Sequence, residues 1–135
     1  KPLTPFKHSM HRPMLYVDVN DVCKAFEVYA KKTLRDEIRK GVPSLSHVVN
    51  FYWSKPMTIL ELAETVRDAV TRQSKSKIKP KVEIVDTGLP NLFTEKDKNL
   101  IKVDMTKAKQ FFRIKKMTNP KETIRKLVHD LMTGS

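Results

Sequence analysis

The spacing of apolar positions changes period several times along the chain. Residues 13–17, "PMLYV", form an unbroken apolar run of strand length. Beyond it, Val22, Ala25, Phe26 and Tyr29 fall at i, i+3, i+4 and i+7, which puts them on one face of a helix. Asp18, Asn20 and Asp21 precede that face and suit a helix N-terminus as caps and negative charge, while Lys31, Lys32 and Arg35 suit its far end. Residues 36–46, "DEIRKGVPSLS", are broken by Gly41, Pro43 and serines and read as a surface connection. Residues 47–53, "HVVNFYW", form a continuous apolar and β-branched run, the pattern of a strand covered on both faces. Thr58 with Glu61 has capping-box spacing, and Ile59, Leu62, Ala63, Val66 and Val70 continue as a helical stripe.

The second half is more polar. "SKSKIKPK", 74–81, reads as a basic loop leading into "KVEIV", a half-exposed strand. Residues 86–103 contain Gly88, Pro90 and many charges and read as a loop, with a short strand at 101–103. Asp104 is placed to cap a helix of about two turns in "MTKAKQFFRI". Pro120 opens a last helix with Ile124, Leu127, Val128 and Leu131 at core spacing. The order β-α, β-α, β, α, α predicts an α/β fold of the kind that joins parallel strands through helical crossovers. At 135 residues the chain is about one domain's worth, 1–135, without internal repeats.

Composition narrows the picture. Hydrophobic residues make up 39%, too many for a disordered chain. No run of about 18 uncharged apolar residues exists to span a membrane, and "KPLTPFKHSM" has no apolar signal core. The single cysteine, Cys23, falls between Val22 and Phe26 and is expected to be a packed thiol, which suits a reducing cytoplasm. Net charge is +12, unevenly spread: residues 1–70 carry 11 Lys/Arg against 8 Asp/Glu, and residues 71–135 carry 16 against 7, giving +3 and +9. Such a balance attracts polyanions in general. Twenty of the cations are lysines scattered over loops and helix ends, without the clustered arginines or exposed aromatics a nucleic-acid reader uses.

Catalytic patterns are missing. The glycines, Gly41, Gly88 and Gly134, write no phosphate-binding fingerprint. His8, His11, His47 and His129 show no metal-ligand spacing with one another or with Cys23. Asp18 and Asp21, at a strand-to-helix junction, are caps rather than an acid/base pair. Tyr52 and Trp53 end the second expected strand, where core packing outweighs ligand contact although open α/β sheets place their crevices there.

Four stretches in order carry a family likeness. "RPMLYVDVNDVCKAF", "VVNFYWSKPMTILELAETV", "VDMTKAKQFFRI" and "NPKETIRKLVHDL" resemble the late part of NAD-dependent sugar-nucleotide epimerases and dehydratases, the extended short-chain dehydrogenase/reductases. In that family the glycine fingerprint and a Tyr-x-x-x-Lys pair lie earlier in the chain. Here Tyr16, Tyr29 and Tyr52 are followed four residues on by Asn20, Thr33 and Pro56. The resemblance therefore implies the C-terminal substrate-binding part of an extended short-chain dehydrogenase fold, about four helices and three to four short strands, with the Rossmann core absent. The chain would be a non-catalytic fragment. The parent would be an isomerase, lyase or oxidoreductase, and the missing N-terminal domain, which binds NAD, would be a partner along with a nucleotide-sugar substrate and a second copy in a homo-oligomer. Alone, this chain is expected to hold no cofactor.

The resemblance also assigns roles. Arg12 occupies the place of the family's arginine that contacts the substrate diphosphate, a role that suits a planar, two-pronged guanidinium. Phe6 stands where the family often packs an aromatic on the nucleotide base; the alternative is a hydrophobic anchor for the N-terminus. Many members have a second arginine ahead of the Asp-x-x-Lys-Ala helix. This loop offers Lys96, Lys98 and Lys102, which supply charge without bidentate geometry. The rival readings are a small basic nucleic-acid-binding protein and a non-catalytic partner module.

Overall fold

A computed structural model describes residues 1–40 and 49–134. Its regular elements are β1 (Pro13–Met14), α1 (Val19–Lys40), β2 (Met57–Thr58), α2 (Ile59–Gln73), a short 3-10 helix (Asp97–Leu100), α3 (Thr106–Phe112) and α4 (Pro120–Thr133). The fold is mixed α/β, with four α-helices and one two-stranded sheet among the described residues. None of the described helices is long and apolar enough to cross a membrane.

All four expected helices form, and their ends follow the capping chemistry. Asp18 Oδ1 accepts the Asn20 N–H at 2.8 Å at the start of α1. The helix runs past Arg35 to Lys40, because "DEIRK" holds no breaker before Gly41. The remainder of the expected connection, 41–46, and the first two residues of the 47–53 strand lie outside the described residues. Thr58 and Glu61 close a full capping box on α2. Asp104 Oδ1 accepts the Thr106 N–H at 2.8 Å ahead of α3. Asn119 caps α4 through the Lys121 N–H at 3.0 Å, Pro120 takes the first helical position, and Gly134, at φ 72°, ends the helix in the left-handed conformation.

The strands are shorter than expected and differently paired. β1 and β2 are two residues each and antiparallel, with Pro13 opposite Thr58 and Met14 opposite Met57. The parallel pairing occurs as two isolated bridges, Leu3 with Val82 and Phe6 with Val85. The N-terminal segment is thus the partner of "KVEIV", an assignment its prolines conceal in the sequence. Residues 49–53 join no ladder; their tie is the Trp53 N–H donating to the Tyr16 carbonyl at 2.7 Å. They keep a strand's period nonetheless, since Val49, Phe51 and Trp53 all pack against the core. Ile101–Val103 is not a strand; the helical turn at Asp97–Leu100 takes up that loop instead.

The core centres on Ala25, Met105, Ala108, Phe112 and Met117, where α1 meets α3 and the connection to α4. α2 and α4 pack on each other as a second pair. Only part of the α1 and α4 stripes is buried, and in α2 the buried residues are Thr65 and Ala69, while the predicted Ile59, Leu62, Ala63, Val66 and Val70 are half-buried. Ala25 is covered but Phe26 is 70% exposed, and Val128 is covered while Leu131 is 83% exposed. Cys23 is exposed, correcting the expectation of a packed thiol. One helical step separates Cys23 from Val22 and carries it about 100° around the axis, off the buried face.

Candidate functional site

The N-terminal segment is held down along its length. Leu3 donates to the Lys81 carbonyl at 2.8 Å, and Lys7 to that of Val85 at 2.9 Å. His8 accepts from the Leu92 N–H at 2.9 Å, and Met10 accepts from the Leu60 N–H at 2.9 Å. The last bond ties the segment to the first turn of α2. The Arg12 N–H then donates to the Ser9 carbonyl at 2.9 Å, closing a turn that delivers the chain into β1. Arg12 is exposed, and its guanidinium has no ion pair or hydrogen bond with any described residue. Its Cα is nevertheless fixed, because the next residue, Pro13, pairs with Thr58 in the sheet.

Phe6 lies on the same segment, 49% exposed, with its ring stacked on His8 at 5.7 Å and 16°. His8 Nδ1 lies 3.2 Å from Thr87 Oγ1, which orients the imidazole beneath the phenyl ring. The stacked pair is a feature the sequence does not announce, since two residues of separation in an irregular segment fix no mutual orientation. It combines the two alternatives for Phe6: the backbone is anchored through the Val85 bridge, and the ring is half free.

The three lysines differ. Lys98 forms an ion pair with Glu61, the capping-box residue of α2. Burial pushes the Glu61 carboxyl up, but the Lys98 hydrogen bond and the Thr58 N–H outweigh it and hold it below the usual glutamate value. Lys98 therefore has a structural task, and it reaches the same helix end that Arg12 approaches through Pro13 and Thr58. Lys96 and Lys102 are exposed, and their ammonium groups carry no ion pair or hydrogen bond among the described residues. The structure thus ties Phe6 to the 85–92 stretch and the backbone of Arg12 and the side chain of Lys98 to the start of α2, and leaves Lys96 and Lys102 on the loop surface.

Asp18 acts as expected of a cap, Asp21 supplies negative charge in the first turn of α1 without a capping bond, and both reach much further along the chain. Asp18 Oδ2 accepts the Thr123 hydroxyl at 2.6 Å, and Asp21 Oδ2 accepts the Thr118 N–H at 2.6 Å. The Thr123 bond, assisted by Asn20, holds the Asp18 carboxyl below its ordinary value against the opposing effect of burial. Trp53 packs on the core, in keeping with the packing role. Burial raises the Tyr16 phenol above its ordinary value.

Two of the concavities that border α1 are lined in part by Phe112. One, of about 280 Å³, is an apolar groove lined by Val22, Phe26, Tyr29, Val49, Phe51 and Phe112, among others. The other lies between α1 and the segment that follows α3, and its rim is basic. No cluster of three or more metal-ligating side chains occurs among the described residues. The exposed Arg12 guanidinium offers a two-pronged cation that can bind an anionic ligand. No protein family, curated protein or solved structure matches this chain.

Proposed function

We propose that the chain is the nucleotide-sugar-binding portion of an NAD-dependent epimerase or dehydratase, holding the substrate diphosphate while the hydride chemistry belongs to a dinucleotide-binding partner domain. The observation that carries this reading is Arg12: an exposed guanidinium, unpaired among the described residues, on a backbone locked by the β1–β2 pairing. Such a group meets a diphosphate with its fork unengaged and its backbone already ordered, so binding has only the side-chain rotamers left to fix. The Phe6–His8 stack on the same tethered segment supports the reading as a surface for a planar base. The order of the four motif stretches supports it independently. A substrate held at its remote diphosphate is oriented at its sugar, which is how non-reacting groups contribute to rate.

The test is titration calorimetry of this chain with UDP-, GDP- and dTDP-linked sugars and with NAD. At least one nucleotide sugar should bind saturably, and NAD should not, for want of a glycine-rich turn. Arg12→Ala should weaken nucleotide-sugar binding about ten- to a hundredfold, with Arg12→Lys recovering part of it. Equal affinities across wild type, Lys and Ala would remove Arg12 from the site. A lowered melting temperature with binding unchanged would give it a structural role instead.

A further inference from the structure

The segment that follows α3 folds back against α1 and encloses with it a cleft of about 530 Å³. Its floor is apolar, from Val28, Phe112 and Ile114, and its rim carries Lys24, Lys31, Arg113, Lys115 and Lys116. Two carboxylates also line it, and both are engaged: Asp21 by the Thr118 N–H at 2.6 Å, Glu27 by an ion pair with Lys31. Lys24, Arg113, Lys115 and Lys116 are left without an ion pair among the described residues. Four cations around one apolar concavity raise its potential, and low-dielectric walls focus that field inward. Arg113 adds a second signal. It ends α3 in the left-handed conformation, φ 54° and ψ 36°, where glycine would sit without strain. A strained arginine at the mouth of a cleft is a place to look for function.

We propose that this cleft binds a small organic phosphate, with phosphoryl oxygens held by Arg113, Lys115 and Lys116 and the carbon portion lying on Val28, Phe112 and Ile114. The volume falls within the range of about 300–1,000 Å³ that small-molecule sites occupy, and the apolar floor under a few polar groups has their composition. The cleft suits a small ligand better than a nucleic-acid strand, because its aromatic ring, Phe112, is only 9% exposed and offers no platform for successive bases. It shares no residue with the Arg12 site, so the two stand or fall separately.

The probe is phenyl phosphate, titrated into the full chain and followed by amide NMR shifts, with inorganic phosphate, phenol and an oligothymidylate as comparisons. Phenyl phosphate should saturate, with shifts centred on Val28 and on residues 112–116, and should bind about tenfold more tightly than inorganic phosphate or phenol. Lys115→Gln combined with Lys116→Gln should weaken it about tenfold or more. Lys75→Gln with Lys77→Gln, the same charge removed from the 74–81 loop, should leave it unchanged. Arg113→Gly should weaken binding while raising the melting temperature, which separates loss of the guanidinium from loss of the fold. Absence of saturation, equal weakening by the two lysine pairs, or binding of the oligothymidylate alone would overturn the proposal.

Discussion

Asp18 shows how one side chain serves two parts of the chain. Its Oδ1 caps the start of α1, and its Oδ2 takes the Thr123 hydroxyl from the first turn of α4. Asp21, in the first turn of α1, accepts the Thr118 N–H just ahead of α4, so the starts of α1 and α4 are tied by bonds spanning most of the sequence. Thr123→Val keeps the shape and leaves a buried carboxylate oxygen short of a donor. The expected cost is about 1–3 kcal/mol, read from urea unfolding at neutral pH. The pH dependence follows from the sign of the shift. Asp18 is held below its ordinary 3.8 when folded, so its contribution is fully present above that value and is lost as pH falls through the lower, folded value. Wild type should therefore lose stability below about pH 4 more steeply than Thr123→Val does, and parallel acid slopes would mean that the Thr123 bond does not hold the proton off.

At the scale of elements, the start of α2 is where structure and proposed function meet. Thr58 caps the helix, pairs with Pro13 in the sheet and so positions the residue after Arg12, while Glu61 completes the box and binds Lys98. Thr58→Ala removes one half of the box and should cost about 1 kcal/mol, seen as a fall in melting temperature of about 4 °C. Lys98→Met should cost less, within about 0.5 kcal/mol, because a partly exposed ion pair contributes little. If the Lys98 change is the more damaging of the two, the ammonium is anchoring the loop and not merely decorating the cap. The short α3 has a comparable clamp, since the Lys32 ammonium donates to the Phe111 carbonyl and lies 4.2 Å from the centre of the Phe111 ring.

At the scale of the whole molecule, the accessible surface is 10087 Å², against roughly 7,300 Å² for a compact monomer of this mass. Phe26, Leu127 and Leu131, all read from the sequence as core residues, are exposed instead, and an apolar groove lies beside Phe26. Faces of this kind associate. Sedimentation velocity at tens of micromolar should show dimers or larger species, with Phe26→Ser and Leu131→Ser shifting them toward monomer; a compact monomer at all concentrations would mean that these faces remain bare. The helices and several of their starts were legible in the sequence because they depend on residues two to four apart: the Thr58–Glu61 box, Asp104 ahead of α3, and Pro120 at the start of α4. Pairing and burial were not legible, because each depends on residues far apart in the chain. Which segment meets "KVEIV", which half of a helical stripe finds a neighbour, which lysine reaches Glu61, and which cations gather around Phe112 are all settled by packing between distant segments. Local periodicity records a capacity to be buried, and only the tertiary arrangement supplies the surface that does the burying.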